Sequence, residues 1–142
     1  MRISKWQANL ESVFIQYQNL QNRIGVSDCM CFMADCVQAI TGIDVMMKFR
    51  NKYSNYEEAI KLIEDHGGVQ QIIDDSFSPH GFDKKPSSKA ITGDVVLFHI
   101  PDLYMPGVIG FGNCGIYTMT CDKGLRLVPL FSHKVTTCWG IN

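Results

Sequence analysis

Three cysteines fall within the stretch GVSDCMCFMADCVQAITG, residues 25–42. Ser27 and Asp28 are helix-capping types, because a short side-chain oxygen can accept from the free N–H groups of a first turn. From Cys29 to Ile40 the only charge is Asp35, so the run reads as a buried helix, closed by Gly42. Cys29 therefore stands in the first turn, directly after the cap. The unpaired N–H groups and the helix dipole there favour an anion. A thiolate so placed has a lowered pKa and attacks more readily at neutral pH. Asp28 works the other way by like charge, unless capping engages its carboxylate. The pattern makes Cys29 a candidate nucleophile.

The remaining cysteines carry less chemistry. Zinc sites pair their cysteines two to four residues apart in a knuckle, with a second pair elsewhere. Here the spacing is Cys29-x-Cys31-x4-Cys36, and on a helix Cys31 points away from the other two. Cys114, Cys121 and Cys138 lack knuckle spacing as well. No metal and no other cofactor is expected. Free cysteine packs as a small apolar residue, which is the reading for all five apart from Cys29. An even count of six admits disulfides, but no export signal supports them.

The elements that must position Cys29 are legible in outline. Trp6, Leu10, Val13, Phe14, Tyr17 and Leu20 recur at helical spacing over residues 4–20. Ser54 with Glu57 reads as a capping box for a helix reaching about His66, closed by Gly67 and Gly68. Residues 69–77 form another short helix, and SPHGFDKKPSSKAITG reads as loop. Beyond it, DVVLFHI, GVIGFG, CGIYTMTC, LRLVPLF and KVTTCWGI are short β-rich runs between turn residues. Helices first and antiparallel strands second describe one α+β domain over residues 1–142, helical to about 78 and sheet from about 91. The sheet should hold four to six strands.

Composition narrows the function classes. The net charge of −1 gives no electrostatic case for nucleic acid. The amino-terminal residues alternate polar and apolar, without the continuous run of a signal peptide or membrane span. A cytoplasmic protein without membrane insertion is expected, unless it leaves the cell within a larger particle.

The ordered residues resemble a known family. SDCMCFMADC is similar to the helix start of NlpC-type cell-wall cysteine peptidases, and ITGDVVLF resembles their Gly-Asp strand. More closely, the layout resembles small NlpC-like proteins encoded beside the tail-tip genes of long-tailed phages. Trp6, Asp28, Cys29, Asp35, Val37, Ala39, Thr41, Gly42, Asp44, Tyr53, Ala59, Gly67, Gly68, Gly93, Asp94, Gly124, Leu125, Pro129 and Trp139 follow that layout in order over nearly the whole chain. The resemblance implies a papain-type fold. It also implies a tail-tip or baseplate component, assembled in the host cytoplasm and carried in the virion tail, with other tail-tip proteins as partners. As an enzyme, such a protein would cut the peptide stems of peptidoglycan.

In active members of that family a histidine opens the strand that follows the Gly-Asp strand. The equivalent residue here is Val108 if Gly110 is the motif glycine, or Asn113 if Gly115 is, and neither accepts a proton from a thiol. Among His66, His80, His99 and His133, His99 is the best substitute base, because it ends the neighbouring strand. His66 reads as a cation at a helix C-terminus; His80 and His133 fall in loops. Without a base, acyl transfer lacks a proton donor for the leaving amine. Two functions follow: a structural docking module with a degenerate site, or a cysteine peptidase or amidase with a relocated base.

Four further features have plain readings beside functional ones. Asp94 could orient a catalytic group but reads more simply as a turn residue after Gly93. Trp139 reads as a core plug closing the sheet. KFRNKY, residues 48–53, reads as a solvated basic face. Leu103, Tyr104 and Met105 have no periodic reason to be buried and read as a partner-binding loop, stiffened by Pro101 and Pro106.

Overall fold

The computed structural model describes residues 1–100, 103–130 and 134–142. Pro101 and His133 lie outside these. Among the described residues, four α-helices precede a six-stranded antiparallel sheet. The α+β architecture is thus as expected.

The helix α1, Trp6–Gln18, buries Leu10, Phe14 and Tyr17, which the 3.6-residue period places on one face. Each such side chain contributes roughly 1.5–3 kcal/mol on burial. Leu20, expected within this helix, lies beyond its end and is exposed. The central helix α2, Cys29–Thr41, buries nine of its 13 residues, which a helix does only when covered on several sides. Gly42 ends it at a φ of 79°, a conformation that costs glycine little.

The helix α3, Tyr56–Asp65, is capped one residue later than Ser54 and Glu57 suggest. Asn55 accepts from the Glu58 N–H at 2.8 Å, and the Glu58 carboxylate accepts from the Ser54 N–H at 3.1 Å. The reciprocal logic of the box holds with the pair shifted. His66 closes α3, its Nδ1 2.8 Å from the Leu62 carbonyl oxygen. The helix α4 covers Val69–Phe77.

A salt-bridge network ties α2 to its surroundings. Asp35 accepts from the Tyr17 hydroxyl of α1 and from Arg50 Nη2 at 2.6 Å, and Arg50 Nε donates to Asp44 at 2.9 Å. KFRNKY is therefore not simply a solvated face: Lys48 and Lys52 are exposed, but Arg50 and the buried Tyr53 are structural.

The strands are β1 (Lys84–Lys85), β2 (Val95–Ile100), β3 (Leu103–Ile109), β4 (Ile116–Thr120), β5 (Gly124–Val128) and β6 (Lys134–Trp139), in the spatial order β1-β6-β2-β3-β4-β5. The stretch read as loop from Ser78 to Gly93 contains β1, which pairs with Trp139 and Cys138. The strand expected over GVIGFG begins earlier, at Leu103, so the residues read as a partner-binding loop belong to it. It pairs with the whole of β2, from Val95 opposite Val108 to Ile100 opposite Leu103. Its second ladder, to β4, is limited to Val108 and Ile109. Pro106 has no N–H to donate, and it stands just outside the pairs where that ladder is formed.

The sheet buries both faces. Val95, Leu97, Val108 and Trp139 pack into the helical core, while Val96, Phe98, Met105, Ile109, Ile116 and Cys138 form a second cluster. Trp139 is the core plug expected of it. Its indole N–H donates to Asp74 Oδ1 at 2.9 Å, and its ring meets Phe77 edge-on.

Asp94 is far more than a turn residue. Its carboxylate is fully buried and accepts from Lys85 Nζ at 2.5 Å, the Ile91 N–H at 3.0 Å, Arg2 Nη2 at 3.2 Å and the Ile141 N–H at 3.2 Å. Arg2 also donates to the carbonyls of Ile141 and Thr92, both at 2.7 Å. One carboxylate thus joins both ends of the chain to β1 and to the turn before β2.

Candidate functional site

Cys29 is the first residue of α2, as its spacing predicts. Asp28 fixes that start. Its carboxylate accepts from the Cys31 N–H at 2.9 Å, the Gly25 N–H at 2.8 Å and the Tyr53 hydroxyl at 2.6 Å. Gly25 is required for this arrangement: at its φ of 82°, a Cβ would lie 2.2 Å from the Tyr53 carbonyl oxygen.

The Cys29 thiol forms part of the wall of a cavity of about 130 Å³. One side of this cavity is α3, through Ala59, Ile60, Leu62 and Ile63. The other is formed by Leu103–Pro106 of β3 with Met119 and Cys121. It lies where β3 and β4 are not paired, beyond Pro106.

The electrostatics of the thiol run against the expectation of an activated nucleophile. Burial, followed by the charge of Asp28 and by Cys121, pushes its pKa up from 9.0 to about 12. The backbone N–H groups of Cys29 and Met30 pull it down, as a helix start should, but desolvation wins. Cys31 is raised to about 12 by burial and by Asp28, and burial pushes Cys138 to about 11 and Cys36 well above the ordinary value.

Neither residue expected at the base position reaches this cavity. Val108 is buried in the helical core, and Asn113 is exposed in a short turn, with its amide on the Ala90 carbonyl. The part of β3 that lines the cavity is Leu103–Pro106. His99 lines a neighbouring hollow instead, where its ring lies 4.9 Å from that of Tyr104. Leu103 and Tyr104, with Ile60, Ile63 and Val69, stand on the wall of both hollows. His66 is held against Leu62 and Phe49, and His80 against Phe82. The structure therefore places His99 on the wall of this neighbouring hollow and not on that of the Cys29 cavity.

The proposed contact residues divide. Leu103 is 43% exposed and Tyr104 51%, whereas Met105 is 4% exposed and packs with Phe98 and Ile109. Met105 is not available to a partner, because it is packed into the second cluster. Tyr53 and Asp94 are the residues whose importance the sequence understated. Tyr53 follows the basic cluster and Asp94 a turn glycine, so local pattern hid the long-range bonds of both.

Among the described residues, no three His, Cys, Asp or Glu side chains gather as metal ligands, and no helix is long and apolar enough to cross a membrane. No curated protein matches the sequence. Residues 1–141 match a family described as a domain of unknown function, DUF6950, and the chain belongs to that family.

Proposed function

We propose that the chain is a component of a phage tail tip or baseplate, an NlpC-like domain of papain type that serves as a docking module. On this reading it has kept the cysteine at the helix start and lost the group that would take its proton. The observation that carries the reading is the environment of Cys29. Burial and Asp28 raise the pKa of its thiol beside an apolar wall, and the histidines among the described residues, His66, His80 and His99, make their contacts elsewhere. Acyl transfer from such a thiol has neither an activated nucleophile nor a proton for the leaving amine.

Leu103 and Tyr104 support the docking half of the proposal. Both are large, exposed and carried on a paired strand, so ordering them on a partner costs little. The test is assembly. Tails assembled with the Tyr104→Asp chain should lack the protein, while the isolated variant melts as the parent does. Incorporation at the parent level would overturn this surface.

A second reading is a tail-associated cysteine peptidase or amidase acting on peptidoglycan stems. It is favoured by the first-turn position of Cys29 and by the two amide groups that act on its sulfur. Loss of peptidoglycan-fragment hydrolysis in Cys29→Ala would establish it in place of the first.

A further inference from the structure

The cavity beside Cys29 has walls of one chemical character. Ile24, Ile60, Ile63, Val69, Ile72 and Pro106 supply rigid apolar surface. Four of the chain's seven methionines, Met30, Met46, Met105 and Met119, line it as well. Methionine is unbranched and polarisable, so a wall built from it adapts to the shape of what it holds.

The polar groups within that wall are already satisfied from the protein side. Asp28 accepts three hydrogen bonds, one of them from the Tyr53 hydroxyl. The Asn22 amide donates to the Met119 carbonyl at 3.4 Å. Tyr56 and Tyr104 are exposed and belong to the rim. A water molecule needs two to four polar partners to be held in a cavity, and the Asp28 carboxylate and Tyr53 hydroxyl of this wall are already bonded to each other. A charged or strongly polar guest would lose its hydration without replacement.

The third observation is α3. Its apolar face, with Ala59, Ile60, Leu62 and Ile63, is directed at the cavity, yet no residue of the helix is buried. An amphipathic helix of this kind gains its stability by covering its apolar face. Here that face is covered only in part, and a guest in the cavity would complete it.

We infer that this cavity is a binding site for a small uncharged hydrocarbon group, of the size of a benzene ring or a short branched alkyl chain. The volume of about 130 Å³ sets the size. An apolar protein cavity of about 150 Å³ takes up benzene. The group can arrive as a free small molecule or as the side chain of a peptide. The inference does not rest on the phage-tail reading and is tested apart from it.

The test is a titration of the purified full chain, carrying ¹³C-methyl methionine, with benzene, with N-acetyl-phenylalanine amide and with benzoate. Benzene should shift the methyl signals of Met30, Met46, Met105 and Met119 saturably, while benzoate leaves them in place. Tighter binding of the amide than of benzene would identify a peptide side chain as the natural source, and the reverse a free small molecule; either upholds the site. Ala59→Phe, which fills the cavity from the side of α3, should abolish the shifts, with Ala59→Leu as the milder substitution if that chain does not fold. No saturable shift with benzene or the amide, equal binding of benzoate, or benzene binding undiminished in a folded Ala59 variant would overturn the inference.

Discussion

The Tyr53 hydroxyl donates to the carboxylate of Asp28, 25 residues earlier, at 2.6 Å, and both residues are buried. This bond joins the loop before α3 to the cap of α2. It thereby holds the start of the helix that carries Cys29 against the wall of the cavity. Hydrogen bonds to a charged group contribute about 1.5–3 kcal/mol. Tyr53→Phe keeps the ring and removes the donor, so it should destabilise the domain by about that amount in urea unfolding. A change indistinguishable from zero would mean that the Cys31 and Gly25 amides suffice to hold Asp28.

Asp94 should be the more costly carboxylate to lose. Asp94→Asn leaves Arg2 and Lys85 without their counter-charge in a part-buried setting and weakens the link to Ile141. Removing one partner from such a cluster costs about 3 kcal/mol or more. Thermal unfolding should shift down accordingly, and the double variant Arg2→Ala, Asp94→Asn should lose less than the sum of the two single changes. Full additivity would show that the two residues do not act through one another.

How much of this was legible before the structure depends on the distance over which each signal acts. The start of α2 was readable because Asp28, Cys29 and Gly42 are local signals, and α4 was readable for the same reason. The capping pair of α3 was found one residue off, since Ser54 and Asn55 are both good caps and only geometry chooses between them. Of β3 only the end from Gly107, within GVIGFG, was readable as strand, because Pro106 and the irregular residues before it argue for a loop. What makes Leu103–Ile109 a strand is its pairing with β2, a tertiary effect. Asp94 was underestimated because two of its partners, Arg2 and Ile141, lie 92 and 47 residues away. For Cys29, local reasoning supplied the helix terminus and the charge of Asp28, but desolvation comes from walls that the sequence brings together only on folding.

Alkaline pH should destabilise the domain. The thiols of Cys29 and Cys31, raised from 9.0 to about 12, and that of Cys138, raised to about 11, keep their protons in the folded chain at pH values where the unfolded chain has lost them. Above pH 9 the unfolded state therefore binds fewer protons than the native state, and stability falls as pH rises. The raised values of Tyr17 and Tyr53 add to this above pH 10. Urea midpoints should decline steadily from pH 9 towards 12, and Cys31→Ala should flatten that decline. A midpoint constant across this range would show that the thiols are not held protonated by the fold.

The ionisation of Cys29 itself is the most direct measurement. With ¹³Cβ-labelled cysteine, and Cys29→Ala to identify the signal, its chemical shift can be followed against pH in the folded chain. The signal should stay in the thiol form through neutral pH and begin to move only above about pH 10, heading for a midpoint near 12. Alkylation of Cys29 by iodoacetamide should rise in parallel, about tenfold per pH unit. A midpoint at or below about 8, with fast alkylation at neutral pH, would contradict a protonated thiol against an apolar wall and would mark Cys29 as an activated nucleophile.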